Sequence, residues 1–309
     1  MSFELITMGR IGVDLYPEQI GVSLDQVRTF RKMLGGTATN VAVAAARLGR
    51  RTAVVTKVGD DPFGGYIRGA LESFGVDPRF VGTDPKLRTP LAFCEIHPPD
   101  DFPLLFYREP SAPDLQLRAD ELDASAIRDA RIFWVTGTGL SIEPSRSTTL
   151  EAIKWRHEGE TIVDLDWRPM FWTEDPTLWM RAALGHATVA VGNAEEAGVA
   201  VGAAEPLEMA RRLLELGPRL AIVKLGPRGV LAATAEEHWI VPPIPVDVVN
   251  GLGAGDAFGG ALCHGLLSGW DVERIVRYAN AAGAVVASRL GCADDMPTAE
   301  DVEAALCSA

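Results

Sequence analysis

The chain has 309 residues, 47% of them hydrophobic and 23% charged, a balance that excludes a collagenous, low-complexity or disordered protein. Its 42 acidic and 29 basic residues leave a formal charge of -13, so neither nucleic acid nor an anionic membrane is expected as a partner. An anionic ligand must then be met by locally concentrated positive groups.

The opening Met1-Ser2-Phe3-Glu4 has neither a basic n-region nor a long apolar h-region, and no run reaches the ~18 apolar residues of a spanning helix. A soluble cytoplasmic protein is expected. In chain order, a buried strand at 5–8 is followed by an irregular stretch at 14–34, a helix at 39–48, a strand at 52–58 and a helix at 62–74. A second irregular stretch at 89–108 precedes a helix at 119–130, a strand at 132–136, a helix at 145–157 and strands at 161–165 and 189–192. The chain closes with a helix at 206–216, a strand at 220–224 and helices at 254–268, 272–289 and 298–306.

Such alternation predicts an α/β fold with a mainly parallel central sheet, helices on both faces and ligands at the carboxyl ends of the strands. The two irregular stretches read as strand pairs without crossover helices, able to form a small β lid over those ends or merely to decorate a sheet edge, and the pattern alone does not favour the lid. No linker or repeat divides the chain, so a single domain over 1–309 is expected. Cys94, Cys263, Cys292 and Cys307 form no CxxC pair, and the five histidines show no metal-ligand spacing.

The most specific segment is Asn250-Gly251-Leu252-Gly253-Ala254-Gly255-Asp256, running directly into a helical pattern. Small residues at a helix start let backbone approach a ligand, and the N–H groups there, with the positive end of the dipole, suit a phosphate. Asp256 in the first turn has a plain structural use worth ~0.3 to 1 kcal/mol. Beside an anion hole it can also accept the proton of a hydroxyl attacking phosphorus. A Rossmann loop is excluded by spacing and by its place late in the chain. Gly35-Gly36-Thr37-Ala38-Thr39-Asn40 enters a second helix and alone would pass for a turn.

Together the two segments, with Gly49 and Gly59 at matching spacing, resemble both signatures of the ribokinase-type (PfkB) carbohydrate kinases over nearly the whole chain. The resemblance implies a ribokinase-like fold and an ATP-dependent sugar kinase. It implies that Asp14, Gly35, Gly36 and Asn40 hold sugar hydroxyls, that Asp256 is the catalytic base, and that Gly253, Ala254 and Gly255 form the anion hole. Asn193-Ala194-Glu195-Glu196 matches the family's Asn-x-x-Glu, whose Glu, here Glu196, helps hold hydrated Mg2+; by itself it is an ordinary helix cap. Lys224, Gly226 and Gly229 fall in the family's nucleotide loop, and Asn280 beside the adenine. Members that bind potassium commonly begin the late motif with Asp and two Thr; here stand Asn250-Gly251-Leu252, so potassium dependence stays open.

Phe106-Tyr107-Arg108 and Asp166-Trp167-Arg168-Pro169 each place an Arg at a strand end. A neutral sugar gives little reason for two guanidinium groups, whereas a sugar acid offers a carboxylate for a charge-assisted contact by Arg108 and Arg168. Pairing of either Arg with a neighbouring acid is the competing reading. Within the family these stretches resemble the kinases of keto-deoxy sugar acids. A neutral-sugar kinase is the enzymatic rival, and a catalytically silent sugar or nucleotide sensor the non-enzymatic one. Besides the sugar acid and ATP, a second copy of the chain, as a homodimer, is a candidate partner, since relatives often pair through the lid sheet; the sequence itself leaves the oligomeric state open.

Overall fold

The computed structural model describes residues 2–308; Met1 and Ala309 lie outside the described residues. The central sheet runs in the order His238–Val241, Val230–Ala233, Leu220–Lys224, Val189–Asn193, Glu160–Asp164, Ile132–Thr136, Leu5–Met8, Thr52–Gly59, Val76–Asp77, and Val81–Asp84 also pairs with Thr52–Gly59. Every contact from Leu220–Lys224 to Val76–Asp77 is parallel, and only the hairpin at the other edge is antiparallel.

Successive residues of a strand point to opposite faces, which explains why these strands read as unbroken apolar runs: both faces are covered. Leu5, Trp134, Ile162, Val191 and Ile222 enter one core, under helices Thr37–Arg47, Pro62–Ser73, Ala254–Leu267 and Val272–Ala287. Their neighbours Ile6, Phe133, Val163, Ala190 and Val223 enter the other, under helices Ser145–Lys154, Thr177–Leu184, Ala194–Val201 and Pro206–Glu215. The fold is therefore the expected ribokinase-like α/β arrangement.

One expected helix, 119–130, is corrected. A 3-10 turn at Ala119–Glu121 ends at the extended residues Leu122 and Asp123, and a new helix, Ala124–Asp129, begins where Asp123 Oδ1 accepts from Ala126 N at 2.9 Å. An Asp that captures a backbone amide caps a helix rather than continuing one. The hairpin strands Val230–Ala233 and His238–Val241 and the helices Thr177–Leu184 and Ala194–Val201 are additions to the expected elements.

A second sheet has the order Phe30–Gly35, Gly12–Pro17, Leu91–Cys94, Leu104–Tyr107. Its two outer contacts are antiparallel, and Gly12–Pro17 lies parallel to Leu91–Cys94. Tyr16, Met33, Cys94 and Ile96 form a small core of their own, closed by Cys292 from the loop after helix Val272–Ala287. Among the described residues no helix is long and apolar enough to cross a membrane.

Candidate active site

The two glycine segments meet at the carboxyl ends of the central strands. Asp14, on the second sheet, lies directly over Gly35: a Cβ there would fall 2.2 Å from the Asp14 carboxyl carbon. Gly36 has φ 108, in a region that disfavours any side chain, and a Cβ on it would meet the Arg10 carbonyl at 2.3 Å. Both glycines are thus demanded by close approach. Gly36 caps helix Thr37–Arg47, whose first turn carries Asn40, 3% exposed.

Asn40 joins this side to the late motif, since its Nδ2 donates to Asp256 Oδ2 at 2.7 Å. Its Oδ1 is buried without a hydrogen-bond partner. A buried acceptor left open costs the fold free energy, and a ligand hydroxyl would satisfy it.

Across that bond, Gly253 (φ 82) opens helix Ala254–Leu267. The first bond of the helix runs from Ala257 N to the Gly253 carbonyl at 2.9 Å, so the amides of Ala254, Gly255 and Asp256 precede it and point out of the helix end. A Cβ on Gly255 would stand 3.0 Å from Lys224 Nζ, which sets an ammonium over the same amides. Behind Gly253, a Cβ would meet Cys292 Sγ at 2.6 Å, and that sulfur pairs with Tyr16 Oη at 2.8 Å, so the core of the second sheet rests on the anion corner.

The electrostatics follow from crowding acids around two cations. Burial pushes the Asp256 carboxyl up to about 6, Asp166 adds to the rise, and the Asn40 hydrogen bond, Lys224 and Arg10 oppose it. Burial likewise takes Asp14 to about 6 against the pull of Arg10. Asp164 and Glu196 are also raised by burial, with Lys224 resisting in each case. Burial alone would lower Lys224, but Asp164, Glu196, Asp256 and Asp166 hold it above its ordinary value. The same contest raises Arg168, with Asp166 foremost among the acids. An ammonium so surrounded stays charged, as a phosphate partner must.

Glu196 and Asn193 form the reciprocal cap of helix Ala194–Val201, Asn193 N donating to Glu196 Oε2 at 2.7 Å and Glu196 N to Asn193 Oδ1 at 2.9 Å. The plain capping reading therefore holds, and Glu196 is at the same time a buried neighbour of Lys224 and Arg168. Among the described residues no three His, Cys, Asp or Glu converge as a metal cage. Carboxylates gathered loosely about Lys224 fit Mg2+, which keeps its waters and takes phosphate oxygens.

Gly226 and Gly229 shape the turn after strand Leu220–Lys224 with φ 57 and 87, and a Cβ on Gly229 would meet the Val241 carbonyl at 2.0 Å. Asn280 Nδ2 donates to the Pro242 carbonyl at 2.7 Å, tying its helix to the neighbouring loop. Asn250 is fully buried; its Nδ2 donates to the Leu290 carbonyl at 2.6 Å and its Oδ1 accepts from Leu252 N at 2.9 Å.

The two expected guanidinium groups differ. Arg108 is engaged by Asp114 at 2.7 Å, both buried, and lies over the Phe171 ring. Arg168 has only a long 3.6 Å contact, to Asp166 Oδ1, and its Nε has no hydrogen-bond partner. Asp166 itself is held by Thr138 Oγ1 at 2.8 Å and has φ 26, the sole positive-φ non-glycine among the described residues. Such backbone strain gathers at functional sites. Sequence reasoning missed Asp164 and Asp166 as charged members of the site. It also passed over Arg10, whose signal is burial rather than motif.

This juxtaposition of an open buried amide oxygen, a carboxyl near neutrality and a cation over helix-start amides has relatives. The chain is 34% identical to a 5-dehydro-2-deoxygluconokinase of Photobacterium profundum over 308 residues, covering 96% of this chain and 92% of the relative. It is 30% identical to that of Clostridium perfringens over 312 residues, covering 98% and 92%. An Escherichia coli protein solved in complex with ATP and Mg2+ superposes with a TM-score of 0.91 at 25% identity, over 100% of both chains. The model of the pfkB family carbohydrate kinase matches residues 3–299, both glycine segments included, and the chain accordingly belongs to that family of ATP-dependent sugar kinases.

Proposed function

We propose that the chain transfers the γ-phosphoryl group of ATP to the terminal hydroxyl of a sugar acid, 5-dehydro-2-deoxy-D-gluconate, in the cytoplasm. The names of the curated relatives support the substrate. The observation that carries the reaction is the Asn40–Asp256 bond of 2.7 Å, which couples the hydroxyl-binding side to the anion corner. Asp14 and the open Oδ1 of Asn40 receive substrate hydroxyls, and Asp256 takes the proton of the terminal one. With its carboxyl at about 6, Asp256 is ionised at neutral pH and close enough to it to exchange a proton readily. The oxygen attacks the γ-phosphorus, the bond to the β-phosphate oxygen breaks, and ADP leaves.

Lys224 and the helix-start amides of Ala254 and Gly255, with Gly253 turning the chain into that helix, stabilise the charge that spreads over the transferring group. Mg2+, with Glu196 on its water shell and Asp164 nearby, would neutralise phosphate charge when bound. Gly226, Gly229, Asn193 and Asn280 line the nucleotide side, and Arg168 and Arg108 stand on the sugar side. Asn250, where potassium-binding relatives commonly carry Asp, brings no carboxylate, and its amide is spent on the Leu290 carbonyl, which weakens the attraction for a monovalent cation there. Leu105 and Tyr107, 48% and 59% exposed on the outer face of the second sheet, support self-association there. An ADP-release assay with 5-dehydro-2-deoxygluconate, 2-keto-3-deoxygluconate, fructose and ribose tests the reading. Preference for the first acid is expected; ATP binding without ADP release for any sugar would make the chain a sensor instead.

A further inference from the structure

Arg10 follows strand Leu5–Met8 and is pinned against the sugar-binding helix, its carbonyl filling the space over Gly36 and accepting from Thr39 Oγ1 at 3.5 Å. Its side chain is buried, with the whole residue 8% exposed. Among the described residues its side-chain hydrogen bond is a single weak one, Nη2 to Thr37 Oγ1 at 3.3 Å, and its buried Nε has no partner. The guanidinium lies over the Phe106 ring of the second sheet, 5.4 Å from the centroid. Phe106 meets Phe171 edge-on at 4.9 Å, and Phe171 carries Arg108 on its own face. Two guanidinium groups thus flank one aromatic pair, and they are not equivalent. The charge of Arg108 is answered by Asp114, whereas Arg10 has no comparable carboxylate bonded to it.

A buried guanidinium without an anion is expensive, and the planar fork suits a carboxylate. The Arg10 charge is felt by both Asp14 and Asp256, the residues proposed to hold and to deprotonate the sugar. We propose that Arg10 binds the carboxylate of the substrate and is the residue that selects a sugar acid over a neutral sugar. Arg108, closed on Asp114, then shapes the aromatic floor rather than reading the charge. This rests on the sugar-acid reading above. A phosphoryl oxygen is the other anion within the site, and the test separates the two.

Steady-state kinetics would compare 5-dehydro-2-deoxygluconate with its uncharged primary amide for the native chain, Arg10→Met and Arg10→Lys. Arg10→Met is expected to lower kcat/KM for the acid about 10²-fold, chiefly through KM, while changing the amide by about threefold at most. The KM for ATP stays in place. Arg10→Lys, which keeps the charge and loses the fork, recovers about a tenth of the lost activity toward the acid. If Arg10→Met fails to fold, Arg10→Lys alone carries the test, its loss confined to the acid. Equal losses for acid and amide in either variant would overturn the proposal and assign the guanidinium to the phosphoryl group or to the fold. A native enzyme that does not prefer the acid to the amide would instead refute the sugar-acid reading, and the role of Arg10 with it.

Discussion

Replacing Asp256 by asparagine keeps the side chain's shape, and its carbonyl oxygen still accepts from Asn40 Nδ2, yet it removes both the proton acceptor and a buried charge. Loss of a general base lowers kcat about 10²- to 10⁴-fold. Stability moves the other way. The rise of this carboxyl from 3.8 to about 6 makes its ionised form cost the fold at most about 3 kcal/mol. Because the folded value lies above the unfolded one, the native chain has its full stability from this group below pH 3.8 and loses it as pH rises to about 6. Asparagine does not titrate, so the variant gains on the native chain over that window, by about 1.4 kcal/mol between about pH 5 and pH 8. Denaturant unfolding at the two pH values reads the gain, and the native kcat/KM should fall on the acid side with an inflection near 6. Near-normal turnover in Asp256→Asn, or a stability difference that does not widen with pH, would refute the assignment.

Gly35→Ala sets a methyl 2.2 Å from the Asp14 carboxyl and forces that side chain off the sugar. Initial-rate kinetics should show kcat/KM for the sugar reduced about tenfold or more with the KM for ATP nearly unchanged. Lys224→Met removes the cation over Gly255 and one of the charges that restrain Asp256. Its KM for ATP should rise about tenfold or more, and the acid limb of the rate profile should move upward in pH. Replacing potassium by tetramethylammonium at constant ionic strength should change the rate by about twofold at most, since Asn250 brings no carboxylate to attract a monovalent cation; a large loss would refute that expectation.

The parallel strands were legible because each is buried on both faces, and a strand so placed has no polar alternation to disguise it. Val230–Ala233 and His238–Val241 escaped notice since each is four residues long and the second is half exposed, leaving neither a long apolar run nor a clean alternation. The helix at 119–130 was overcalled because periodicity ran on through Asp123, whose side chain captures a backbone amide only when the chain turns there. At the candidate site, glycine spacing marked both close backbone approaches, at Gly35-Gly36 and at Gly253, for proximity there admits no side chain. The remainder depended on distances across the fold. Arg108 was legible as a cation but its neutralisation by Asp114 was not, and a lone Arg10 between Gly9 and Ile11 carries no pattern at all.

Helices Thr37–Arg47 and Ala254–Leu267 touch almost main chain to main chain, for a Cβ on Gly260 would stand 2.4 Å from that of Ala44 and 2.8 Å from Ala45 N, and one on Gly259 2.7 Å from Trp134. At the Gly260 crossing no rotamer intervenes to be loosened. The distance between Asn40 on one helix and Asp256 on the other is therefore gauged by covalent geometry. Movement or divergence of the outer strands can alter which molecule is admitted while that distance stays the same.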